Sequence, residues 1–139
     1  MSQETSLILL KPDTVTKGLC GEVLKRFEGA GFKIRGLKMM QLTDEILVEH
    51  YSHIADKPFF PDVATFMKSS PVVALALSGE NVVAAVRDML GPTDSRKADK
   101  GTIRGDLGVD NMINVCHASD GLEAAAVELK RFFKDGEIF

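Results

Sequence analysis

His117 stands where a histidine could do chemistry, within Asn114-Val115-Cys116-His117-Ala118-Ser119-Asp120. The pattern predicts a strand ending at this ring and a helix starting just after it. A helix N-terminus offers free backbone N–H groups and a positive dipole end, which suits anions. Ala118 and Ser119 are small and permit close approach. A neutral imidazole at such a place can attack phosphorus, and covalent catalysis splits one hard transfer into two easier ones. Taken alone, the same setting favours a ring merely satisfied at a strand edge. Glu128, eight residues past Asp120, could reach back to one ring nitrogen and leave the other nucleophilic. Without further context a solvated surface glutamate is its simpler reading.

Three cations are spaced along the chain. Lys11 directly follows an apolar run, Arg87 lies late in a helical segment, and Arg104 sits in Gly101-Thr102-Ile103-Arg104-Gly105-Asp106. Phosphoryl transfer needs mainly positioning and positive charge around the equatorial oxygens. Arginine forks match phosphate oxygens, and lysine acts as a point charge. Spacing does not show convergence, and each cation by itself is an ordinary surface charge. Neither G-x-x-x-x-G-K-[ST] nor G-x-G-x-x-G occurs, so any nucleotide is bound without those loops. His50 and His53 are three apart on a helical pattern, but no third ligand has metal-site spacing, which favours surface or packing histidines. Phe59-Phe60, between prolines, suits core or an aromatic plate for a base, with core favoured.

These residues need elements to hold them. The chain of 139 residues fits one domain, taken as 1–139, with 45% hydrophobic and 27% charged residues. A net charge of −3 argues against nucleic acid as a partner, although a local basic pocket could bind a small anion. Cys20 and Cys116 form no C-x-x-C and imply a reducing compartment. No signal-peptide pattern or transmembrane-length run is seen, so the expectation is a soluble cytoplasmic protein with no membrane partner.

Strands are predicted over Thr5–Leu10, followed by a turn at Lys11-Pro12-Asp13, over Phe32–Leu42 with a bulge near Gly36, over Pro71–Ser78 in a central position, and over Met112–Cys116. Helices are predicted over Gly18–Glu28, after an N-cap at Thr43, after Pro61, and over Asn81–Leu90. Asp120-Gly121-Leu122-Glu123 reads as a capping box opening a last helix, with Leu122, Ala126, Leu129 and Phe133 on one stripe. The pattern implies α/β or α+β without choosing parallel or antiparallel pairing. Gly91–Asn111 shows no periodic element, and loops of that length are usually functional or disordered.

Taken in order, these motifs resemble the nucleoside diphosphate kinase family from Leu7 to about Phe133. Asn114-Val115-Cys116-His117-Ala118-Ser119-Asp120 is similar to the family's N-x-x-H-[GA]-S-D signature. Leu10-Lys11-Pro12-Asp13, His50-Tyr51 with Lys57-Pro58-Phe59-Phe60, Gly79-Glu80-Asn81, Arg87, Gly91-Pro92-Thr93 and Gly101–Asp106 follow in the family's order.

The resemblance implies a ferredoxin-like α+β fold. Its four-stranded antiparallel sheet would be covered by helices, with an inserted helical hairpin and a long loop before the last strand. It implies ping-pong transfer of the γ-phosphoryl group of ATP or another nucleoside triphosphate to a nucleoside diphosphate through His117, maintaining triphosphate pools. Mg²⁺ would be held mostly by the nucleotide phosphates. Lys11, Arg87, Thr93, Arg104 and Asn114 would contact phosphates and sugar, and Phe59 would stack on the base. Tyr51 would lie near His117, and Glu128, supported by Ser119, would orient the imidazole. The long loop would wall the nucleotide site, and the chain would form a homo-oligomer, a tetramer or hexamer. The sequence departs from the family at Gly121 (usually serine), Leu107 (phenylalanine), Lys100 (proline) and Val63 (leucine). Gly121 is expected to loosen the first turn of the last helix.

Overall fold

The computed structural model describes residues 3–139. Strand β1 (Gln3–Leu10) leads into a short helix α1 (Pro12–Thr16) and then α2 (Cys20–Gly29). Strand β2 (Lys33–Met40), helices α3 (Asp44–His50) and α4 (Phe60–Lys68), and strand β3 (Val72–Glu80) follow. Helix α5 (Val82–Leu90), α6 (Ile103–Leu107), strand β4 (Cys116–Ala118) and helix α7 (Leu122–Phe132) complete the chain. The strands lie in the order β2-β3-β1-β4, and all three pairings are antiparallel. This is the expected α+β arrangement, with β3 internal.

Side chains alternate across a strand, so β1 and β3 each feed two cores. Ile8, Leu10, Val73, Leu75 and Leu77 pack with α2 and α5. Leu7, Leu9, Val72, Ala74 and Ala76 pack with α3, α4 and α7. Both strands are buried on both faces, which is why they read as unbroken apolar runs. The bulge in β2 falls between Ile34 and Gly36. Thr43 caps α3, its hydroxyl accepting from Ile46 N at 3.3 Å.

Three expectations about the chain path are corrected. Lys11-Pro12-Asp13 opens α1 instead of a simple turn. Gly91–Asn111 contains a 3-10 turn at Ser95–Lys97 and the helix α6, capped by Thr102. The last strand is Cys116–Ala118, not Met112–Cys116. Asp110 captures the Met112 and Ile113 N–H groups at 2.9 and 2.7 Å, and Val115 takes a φ of 80°, so the chain turns where a strand was expected.

The N-cap of α7 is Gly121, with no side-chain cap hydrogen bond. The Asp120–Glu123 capping box therefore does not form, and Gly121 precedes the helix instead of loosening its first turn. The buried face of α7 carries Ala125 and Phe132, with Leu129 partly buried, while Leu122 is exposed. Of the predicted stripe, Leu129 and Phe133 turn inward, while Leu122 and Ala126 are exposed.

Candidate active site

The position of His117 follows from strand parity. It pairs with Leu9, whose side chain faces α3, α4 and α7, whereas Cys116 and Ala118 face the other core. His117 therefore meets residues of α3 and α7. Glu128 lies three residues past buried Ala125 on α7, on the same side of the helix.

Glu128 Oε1 stands 2.9 Å from His117 Nε2, and Ser119 Oγ donates to the same oxygen at 2.7 Å. Burial pushes the Glu128 carboxyl up, but the hydrogen bonds and charge of His117 and the bond from Ser119 outweigh it and hold its pKa low. An ionised carboxylate only accepts, so His117 Nε2 carries the proton and Nδ1 keeps its lone pair. Ser119 is itself fixed to β1: its Oγ accepts from Leu7 N at 3.2 Å, and its N–H donates to Leu7 O at 3.0 Å.

A cleft of about 710 Å³ opens over His117. Lys11, Tyr51, Phe59, Arg87, Thr93, Arg104, Asn114, His117 and Glu128 all line it. Ser119 is the one predicted site residue outside the lining; it is fully buried behind Glu128. Phe59, 52% exposed, stands at the helical-hairpin side with its ring accessible.

The cations crowd one another. Arg87 lowers the pKa of Arg104, after burial, and Arg104 in turn lowers that of Lys11. Burial is the main cause that brings Lys11 from 10.5 to about 8. Cations held against mutual repulsion in a partly desolvated cleft make a focus for an anion, despite the chain's net charge of −3.

Arg104 has a second set of bonds. Its Nε donates to Asn114 O at 3.1 Å, Nη1 to Gly91 O at 3.1 Å, and Nη2 to Cys116 O at 2.7 Å. Three of its five donors thus tie α5, the loop and β4 together, and two remain for a ligand. Lys11 Nζ donates to Met112 O at 2.6 Å and Asn114 Oδ1 at 2.8 Å, while Asn114 Nδ2 donates to Thr93 O at 2.9 Å.

Three residues near the site were not singled out as such from the sequence. The His50 ring stands edge-to-face on His117, with centroids 4.6 Å apart, and also contacts Tyr51 and Phe132. Arg131 Nη1 lies 2.9 Å from His50 Nδ1. A guanidinium only donates, so the His50 proton sits on Nε2. Burial, then the charges of His117 and Arg131, push His50's pKa down, and its ring is neutral. Arg131, three residues past Glu128, was readable as a same-face neighbour on a helix. The third is Asp13, whose Oδ2 accepts from Val115 N at 3.1 Å. An acid in a helix's first turn is too common to have flagged it.

A family model described as nucleoside diphosphate kinase matches residues 4–138. The nucleoside diphosphate kinase of Parabacteroides distasonis is 48% identical, over 98% of this chain and 89% of its own. That of Staphylothermus marinus is 49% identical, over 99% of this chain and 98% of its own. Among solved structures, the Aquifex aeolicus nucleoside diphosphate kinase superposes with a TM-score of 0.94 at 42% identity, covering 99% of this chain and 100% of that one. The halophilic nucleoside diphosphate kinase of Halobacterium salinarum, in complex with CDP, superposes at 0.96 with 38% identity, covering 99% and 92%.

Proposed function

From the premise that the chain belongs to the nucleoside diphosphate kinase family, we infer that it moves the γ-phosphoryl group of a nucleoside triphosphate onto a nucleoside diphosphate through His117. The observation that carries the reading is the His117 Nε2–Glu128 Oε1 contact of 2.9 Å beneath a cation-lined cleft. It leaves Nδ1 as the nucleophile. The Nδ1 lone pair attacks the γ-phosphorus, the bond to the β,γ-bridging oxygen breaks, and the nucleoside diphosphate leaves. A β-phosphate oxygen of a second nucleoside diphosphate then attacks, and the P–N bond breaks.

Glu128, supported by Ser119, holds the tautomer and balances the positive charge that the ring gains in the attack. The two unused donors of Arg104, with Arg87 and Lys11, bind the phosphoryl oxygens; Thr93 and Asn114 contact phosphates and sugar. Tyr51 flanks the ring through His50. Phe59 stacks on the base, a contact that reads no base edge and so discriminates weakly among nucleotides. The CDP held by the halobacterial relative supports nucleotide as the occupant of this cleft.

Mg²⁺ is an oxygen-seeking ion that usually arrives on substrate phosphates. Among the described residues the compact ligand group is His50, His117 and Glu128, two imidazoles and a carboxylate already engaged. That set suits no all-protein Mg²⁺ cage. Asp62 and Asp120 line the cleft and could share, through water, an ion carried by the nucleotide. The ion would neutralise phosphate charge.

No helix among the described residues is long and apolar enough to cross a membrane. A cytoplasmic setting agrees with two free thiols. A homo-oligomer agrees with Leu37 and Met39, 50% and 61% exposed on the edge strand β2.

Incubation with γ-labelled ATP is expected to give an acid-labile phosphoprotein that GDP discharges, with ping-pong kinetics. Full transfer activity in His117→Gln would sink the reading.

A further inference from the structure

Val115 is fully buried, β-branched, and held at a φ of 80°. Non-glycine residues rarely enter this region, and when they do the surrounding structure holds them there. Cys116 N donates to Asn114 O at 3.0 Å across it. The chain therefore makes a γ-turn of the rare, strained hand immediately before the nucleophile's strand. That turn sets the phase of β4. A slip of one residue would send Cys116 to the cleft face and His117 into the opposite core.

Both backbone polar groups of Val115 are gripped by one corner of the molecule, the junction of β1 and α1. Val115 N donates to Asp13 Oδ2 at 3.1 Å. Val115 O accepts from Lys11 N at 2.9 Å and from Thr14 Oγ1 at 2.5 Å. Asp13 sits in the first turn of α1, yet this oxygen serves a backbone group 102 positions away. Its other oxygen, Oδ1, is buried without a hydrogen-bond partner. A half-satisfied buried carboxylate is unfavourable unless something nearby needs its charge. Buried Lys11, two residues earlier, is a nearby cation whose ammonium donates to Met112 O and Asn114 Oδ1. The groups acting on the Lys11 ammonium are Asp13, Arg104, Cys116 and Asp110, with the Phe66 ring 5.6 Å from Nζ. Against the burial that lowers the Lys11 pKa, Asp13 is the largest opposing influence.

We propose that Asp13 is a positioning residue for phosphoryl transfer, holding the Val115 turn that aims His117 into the cleft. The inference rests on His117 being the phosphorylated residue.

The test is steady-state kinetics and phosphoprotein formation on the full chain, with Asp13→Asn, Asp13→Ala, Val115→Gly, and Asp13→Ala combined with Val115→Gly. Asparagine can still accept from Val115 N but carries no charge. Asp13→Asn keeps that acceptor and is expected to lower kcat much less than Asp13→Ala does. Asp13→Ala is expected to lower kcat on the order of 10²-fold, as small misplacements of reacting groups do. Glycine adopts a φ of 80° unaided, so the same Asp13→Ala change is expected to lower kcat much less in the Val115→Gly background. A kcat loss in Asp13→Asn as large as that in Asp13→Ala overturns the proposal. So does an undiminished kcat loss in the double variant. If Asp13→Ala fails to fold, the Val115→Gly background is expected to restore folding and phosphorylation, and failure in that background too overturns the proposal. Absence of phosphohistidine in the wild-type chain would instead overturn the underlying reading of His117.

Discussion

The paired strands β1 and β3 and the segment from Gly91 to Val115 are held together by different physics. The two strands run in register from Gln3↔Glu80 to Leu10↔Val73, with apolar side chains buried on both faces. Many small contacts share the load, and none carries chemistry. The segment is held by a few specific bonds from side chain to backbone. Arg104 reaches three carbonyls, Asp110 takes two N–H groups, and Asp94 and Thr102 cap short turns. The segment and the turn that ends it also supply Thr93, Arg104 and Asn114 to the cleft. Damage to the strands should therefore appear as lost stability, and damage to the segment as lost activity.

The largest expected effect breaks the segment. Arg104→Ala removes the tie between α5 and β4 together with two donors for phosphate. It is expected to lower kcat/KM on the order of 10²–10³-fold, with a smaller proportional change in the thermal midpoint. A coupled transfer assay beside a thermal melt checks this; near-normal kcat/KM would erase the contrast. Next comes the sheet. Leu75, fully buried between β1 and β2, is expected to cost about 2–5 kcal/mol as Leu75→Ala. Denaturant unfolding measures that loss, and kcat below the melting range should stay close to wild type.

A change of pH sharpens the comparison without mutation. Lys11 sits at about 8 against an ordinary 10.5. As pH rises through about 8 the cleft loses this charge, so kcat/KM should fall on the alkaline side. Stability moves the other way for this group. Between about 8 and 10.5 the unfolded chain binds more protons at Lys11 than the folded one, so its contribution to folding rises with pH. Paired pH series of kcat/KM and unfolding free energy test the opposition, with Lys11→Met expected to remove both trends.

The smallest effect concerns Gly121. Its φ of −174° suits any residue, and a Cβ there meets nothing within 4 Å. Gly121→Ser supplies the missing N-cap oxygen and should stabilise by a few tenths, roughly 0.3 kcal/mol. Urea titration resolves it, and transfer activity should not change.

Much of the fold was legible in the residues themselves. The unbroken apolar runs of β1 and β3, the Thr43 cap and the bulge in β2 each have a local physical cause. The ordered motifs around Lys11, Arg104 and His117 were sufficient to identify the family. The unread parts have two causes, capture of backbone groups by Asp110 two and three positions away and partners far along the chain such as Asp13. Met112–Val115 has strand composition, but Asp110 and Asp13 draw its N–H groups into turns. Leu122 fits a helical stripe, yet the face that meets the sheet is the one bearing Ala125 and Glu128.

Which residues form elements, and which side chains are chemically able to carry a phosphoryl group, follows from the order of residues alone. Local periodicity and residue chemistry act over a few positions, and those can be read directly. Only the tertiary structure decided which face of β4 His117 occupies, that Glu128 and His50 meet its ring, and that Asp13 grips the turn before it. Those outcomes depend on antiparallel register and strand parity, which pair residues a hundred positions apart and leave no mark on their neighbours in sequence.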